Sequence, residues 1–144
     1  MRLILKTTQM NNSSKEILKV LVVDDESSIA NAFAVAITDH MNEYLRDKNK
    51  CVEVDTAESM NEALRLILQN SYRLVLTDIN LREEGFTGIH LAQTIRSMQQ
   101  TMPIVAMSGH YGSLEEDKLF AFTFPKFLQE IDILLERMQD LILS

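Results

Sequence analysis

The chain has 144 residues, enough for one domain with a full core, and its 46% hydrophobic and 24% charged residues are ordinary for a globular protein. A formal net charge of −7 argues against non-specific nucleic-acid binding, which needs a basic face, and no apolar run approaches the roughly 20 residues that span a bilayer. The lone Cys51 excludes an intramolecular disulfide and a cysteine metal site, and it fits a reducing, cytoplasmic setting.

Residues 1–16 read as a flexible N-terminal extension: Thr7 to Lys15 is polar and carries no periodic apolar face, and Met1 to Lys6 is too short for a secretion signal. From there to residue 144 the chain alternates strand-like and helix-like segments. Apolar runs at 19–23, 51–55, 73–77, 103–107 and 119–124 are rich in Val, Ile, Leu and Phe. They mostly lack alternation, as expected for strands covered on both faces. Cys51 belongs to the second run and is expected to be buried.

Between these runs, apolar residues recur at helical spacing. Ile29, Phe33, Ile37, Met41 and Tyr44 form a first stripe, capped by Ser27 or Ser28 and extended through Asp47. Met60, Ala63, Leu64 and Ile67 form a second, after Glu58-Ser59. Leu91, Ala92, Ile95 and Met98 form a third, opened by Thr87. The last face is continuous through Phe127, Leu128, Ile131, Leu134, Leu135, Met138, Leu141 and Ile142. Ile133 and Leu143 fall off it and could mediate a helix contact. Alternation of this kind implies right-handed crossovers and a doubly wound α/β domain with a five-stranded parallel sheet.

Polar groups recur where the strands end. Asp24-Asp25-Glu26 follow the first run, Asp78 the third and Ser108 the fourth. A carboxylate beside a hydrophobic strand is costly without compensation, and in open α/β sheets ligands sit at the carboxyl ends of the strands. Converging carboxylates raise one another's pKa, and a hard divalent cation relieves that repulsion. A carboxylate can also attack phosphorus, provided a hydroxyl and a fixed cation meet the dispersed charge of the transferring group. Ser108 and Lys126 supply those two residue types.

The runs LVVDDE at 21–26, LVLTDINL at 74–81 and IVAMSG at 104–109, with Gly88 opening the third helix, resemble the receiver domain of two-component response regulators. The resemblance covers residues 18 to about 142. It implies a flavodoxin-like fold with strand order 2-1-3-4-5. Carried over by position, Asp78 is the phosphoacceptor, and Asp24, Asp25, Asp78 and the backbone carbonyl of Asn80 hold Mg2+, with Asp25 the direct ligand of the first pair. Ser108 and Lys126 meet the phosphoryl group, and Phe122 matches the switch aromatic.

The chain departs from that pattern in places. The family ends its fifth strand with Lys-Pro, whereas here the order is Pro125-Lys126. A one-residue slip turns a strand side chain to the opposite face. Lys126 is therefore expected to need a bend or bulge at Pro125, for which a cis Phe124–Pro125 bond is one route. The stretch from Ser108 to Lys126 is short, so the fourth helix, between the fourth and fifth strands, is expected to be shortened or irregular. The loop after Asp78 is slightly long and carries Phe86, expected to be exposed beside the site. His40, His90 and His110 are scattered, with no ligand spacing.

The sequence thus reads as residues 1–16, an extension, and 17–144, a stand-alone receiver, monomeric or weakly dimeric. It would take a phosphoryl group from a histidine kinase or phosphotransfer protein and signal through a protein partner, without nucleic acid or membrane. The alternative is a pseudo-receiver, an interaction module independent of phosphorylation. An aspartate-nucleophile phosphatase is disfavoured because Asn80 stands where a second aspartate would act. A dinucleotide fold is excluded because no glycine-rich turn follows Val23.

Overall fold

The computed structural model describes residues 15–81, 87–98, 101–108, 119–126 and 130–144. Five strands, β1 (Glu16–Val23), β2 (Lys50–Ala57), β3 (Tyr72–Asp78), β4 (Ile104–Ser108) and β5 (Phe122–Pro125), alternate with helices α1 (Ser27–Leu45), α2 (Met60–Gln69), α3 (Gly88–Met98) and α4 (Ile131–Leu143). All strand pairs are parallel and the order is β2-β1-β3-β4-β5, the expected flavodoxin-like arrangement.

The sheet separates two apolar layers. Leu18, Val20 and Val22 of β1 pack with Phe33, Ile37 and Met41 of α1 and with Leu134, Leu135 and Met138 of α4. Leu21 and Val23 face the other way, toward Ala63 and Ile67 of α2 and Leu91, Ala92 and Ile95 of α3. Both faces of β1, β3 and β4 are thereby covered, which is why their sequences are nearly unbroken apolar runs. Burying such side chains contributes about 1.5–3 kcal/mol each before entropy is counted.

Local signals set the ends of α2 and α3. Ser59 caps α2 by accepting from the Glu62 amide at 3.1 Å, while Glu62 Oε1 accepts from the Glu58 amide at 3.0 Å. Thr87 Oγ1 opens α3 by accepting from Ile89 and His90 amides at 3.2 and 3.4 Å. Helix α1 departs from expectation: its N-cap is Glu26 rather than Ser27 or Ser28, and no side chain caps it.

Several residues differ from their expected places. The α1 stripe ends on buried Leu45, which continues the row Phe33, Ile37, Met41 at a spacing of four, and Tyr44 is 42% exposed. The fifth strand begins at Phe122; residues 119–121 run outside it, with Phe120 buried in the α2–α3 layer. Cys51 is only half-buried, since β2 lies at the sheet edge. Leu143 packs partly against the core, leaving Ile133 as the exposed residue of the pair, at 55%. Of the expected extension 1–16, Glu16 instead opens β1, paired with Lys50, while residues 1–14, like Phe86, His110, the short helix over 113–118 and Phe127-Leu128, lie outside the described residues.

Candidate functional site

Each site residue is held by the strand that ends beside it. The Asp24 amide continues the β1 ladder, donating to the Ala57 carbonyl at 3.0 Å, so the residue stays in the sheet and is fully buried. Its Oδ1 accepts from the Glu26 amide at 2.9 Å. Asp78 closes β3 and is 3% exposed. Its Oδ1 accepts from the Asn80 amide at 3.2 Å, and the Ile79 amide beyond it donates to the Met107 carbonyl at 2.9 Å. Ser108, half-buried, ends β4 opposite Pro125 of β5.

Lys126 joins these ends. Its Nζ lies 2.7 Å from Asp24 Oδ2 and 2.8 Å from Asp78 Oδ2. It does so without the expected bulge: β5 pairs with β4 in unbroken register from Val105↔Phe122 to Ser108↔Pro125. No peptide among the described residues is cis. The chain instead bends just past the strand, with the Lys126 amide donating to the Ser108 carbonyl at 2.9 Å. From that end the lysine stem spans the offset.

Burial raises the Asp24 pKa above its ordinary 3.8, partly offset by the Lys126 ammonium and the Glu26 amide, with Asp78 adding to the rise. Burial alone would lower the Lys126 pKa, but Asp24 and Asp78 outweigh it and the net direction is up from 10.5. Two carboxylates thus share one ammonium, leaving the buried group net negative.

Asp24, Asp25 and Glu26 each offer a carboxylate oxygen, and these oxygens lie within 4.8 Å of one another. Asp78 stands apart from that trio and is tied to Asp24 through Lys126. The Lys126 ammonium is the ion-pair partner of the buried Asp24 Oδ2, which has no further hydrogen bond among the described residues. A buried carboxylate oxygen beside further acidic oxygens suits a hard divalent cation. The donor set therefore fits magnesium.

Sequence reasoning named Asp24, Asp25, Asp78 and Lys126; the structure sets Lys126 between Asp24 and Asp78, and Asp25 beside Asp24. Phe122 is half-buried against the α1–α4 layer, with the Arg137 guanidinium 3.8 Å from its ring centroid. Arg96 of α3 donates to the carbonyls of Met102 and Leu119, the latter at 2.8 Å, and burial lowers its pKa. Neither arginine was legible as a contact. His40 meets Gln139 across α1 and α4 at 2.9 Å, and His90 meets Thr87, so both have structural partners.

Comparison with known proteins converges on one family. The profile of the response regulator receiver domain matches residues 20–128. Sensory transduction protein LytR of Staphylococcus epidermidis is 34% identical over 94 residues, 65% of this chain but 33% of that protein. This chain thus spans about a third of the length of that curated relative. The response regulator TrrA of Thermotoga maritima, solved in complex with Mg(2+)-BeF, superposes with a TM-score of 0.62 at 28% identity, over 86% of this chain and 98% of that one. The receiver domain of NtrX from Brucella abortus gives 0.66 at 26% identity, over 83% and 96%. The chain belongs to the response regulator receiver domain family.

Proposed function

We propose that this receiver accepts a phosphoryl group on Asp78 from a histidine kinase or phosphotransfer protein and passes the signal to a protein partner. The observation that carries the reading is the Lys126 ammonium set between Asp24 Oδ2 and Asp78 Oδ2, at 2.7 and 2.8 Å. An Asp78 oxygen would attack phosphorus as the bond to the donor imidazole nitrogen breaks, giving an acyl phosphate and a free imidazole. Lys126 is placed to balance the charge that moves from the carboxylate to the phosphoryl oxygens, and Ser108, at the adjacent strand end, supplies a hydroxyl. Asp24 and Asp25, with Asp78 and the Asn80 carbonyl, would hold Mg2+, whose chemistry there is to neutralise the approaching phosphate.

The pseudo-receiver alternative drew on the Pro125-Lys126 order and on the shortened fourth helix; the approach of Lys126 to Asp78 argues against the first, and the second lies outside the described residues. We propose that the receiver is monomeric or weakly dimeric through the face bearing Ile133, and that it acts in the cytoplasm, as its lone cysteine suits. Among the described residues no helix is long and apolar enough to cross a membrane. Acetyl phosphate with magnesium should label the wild type and leave Asp78→Asn unlabelled. Equal labelling of both proteins would defeat the assignment.

A further inference from the structure

We propose that Asn42 guards the outer edge of β2, and that a second copy of this chain would pair with that edge if the guard were removed. β2 ends the sheet, so one side of its backbone has no strand partner. An edge of this kind is a ready template for another strand.

The ladder with β1 fixes which groups face outward. The Glu16 and Asp24 amides donate to the carbonyls of Asn49 and Ala57, so the odd-numbered residues of β2 turn toward β1. Lys50, Val52, Val54 and Thr56 then turn their backbone groups to the outside. The Val52 amide is capped there, donating to Asn42 Oδ1 at 2.8 Å. Asn42 stands near the end of α1, ten residues before Val52, and the connection is tight, with the Lys48 amide donating to the Leu45 carbonyl at 2.9 Å. Val52 is 3% exposed, so its amide would be costly to leave bare.

Charge protects the remainder of the edge. Two copies would meet antiparallel across a two-fold axis, with directly opposed residues on the same face. A register centred on Glu53 sets Glu53 against its own copy, and one centred on Val54 sets Glu53 against Asp55. One centred on Asp55 opposes that carboxylate to itself. Like charges directly opposite destabilise a strand pair. Registers centred on Cys51 or Val52 avoid such clashes within the strand, and both need the Val52 amide. Asn42 thus closes the registers that charge leaves open.

Sedimentation equilibrium of the full chain tests this in wild type, Asn42→Ala and Asn42→Asp, together with a short bismaleimide that links thiols about 8 Å apart. Cys51 is the sole cysteine, and in either register it lies opposite or diagonal to its copy. Asn42→Ala should shift self-association at least about tenfold toward the dimer and become cross-linked through Cys51. Asn42→Asp, which keeps an acceptor oxygen, should match wild type in both readouts. An Asn42→Ala protein that associates no more than wild type, or that dimerises without a Cys51 link, would overturn the proposal. So would a wild type already linked through Cys51, or an Asn42→Asp protein that dimerises as Asn42→Ala does. Alanine is the best helix former, so α1 is kept, and circular dichroism of each variant checks the fold.

Discussion

Gly88 lies against the main chain of Asp78 so closely that a Cβ added there would stand 2.3 Å from the Asp78 carbonyl oxygen and 2.9 Å from Ile79 Cα. The Gly88 amide also donates to the Ile79 carbonyl at 2.8 Å. The first turn of α3 is thus seated directly on the backbone that carries the central carboxylate. Because the opposing atoms are backbone, they cannot swing aside. Gly88→Ala should cost about 3 kcal/mol by chemical denaturation, the upper end of overpacking penalties. Unchanged stability would show that the α3 entry relaxes freely.

Removing one of two carboxylates that share an ammonium should relieve a buried excess charge. Asp24→Asn should stabilise the fold by about 1 kcal/mol in chelated buffer near neutral pH. The pH dependence has a defined sign. Asp24 is raised from 3.8 in the folded protein, so over the window just above that value the folded state holds more protons than the unfolded. Wild-type stability from this group therefore increases as pH falls through the folded pKa. The advantage of Asp24→Asn should shrink over the same window, and a constant advantage would contradict the assignment.

Lys126→Met takes the countercharge from both carboxylates while keeping a long stem. It should destabilise the protein by about 3 kcal/mol at neutral pH, since two buried charges lose their partner. Lys126 is raised above 10.5, so its contribution is complete below that value and is lost as pH rises through the folded pKa. Denaturation curves should show that alkaline loss in wild type and not in Lys126→Met.

Arg137 stacks on Phe122 from α4, which ties the start of β5 to the last helix. A double-mutant cycle with Arg137→Ala and Phe122→Leu should give a coupling of about 0.5–1 kcal/mol, the range of exposed cation–π pairs. Additive losses would mean that the ring and the guanidinium pack independently.

The sheet was legible because β1, β3 and β4 are covered on both faces, so their apolar runs stand out against the helical stripes. The site was legible for the same reason: Asp24 and Asp78 interrupt those runs at their ends. What the sequence could not resolve depended on long-range geometry. The Pro125-Lys126 order suggested a slipped strand, yet the ladder stays in register and the bend falls one residue later, where a flexible stem reaches two carboxylates. Leu45 rather than Tyr44 ends the α1 face because it continues the row Phe33, Ile37, Met41 four residues on, whereas both three and four were open to the local pattern.

Arg96 donates to the carbonyls of Met102 and Leu119, which flank the fourth and fifth strands at their entry points. A bond to the peptide unit is indifferent to the side chain that the unit carries. Positions 102 and 119 can therefore drift in sequence, as far as packing permits, without loosening this brace. The guanidinium itself has no such freedom, since lysine offers no planar fork to reach two carbonyls at once.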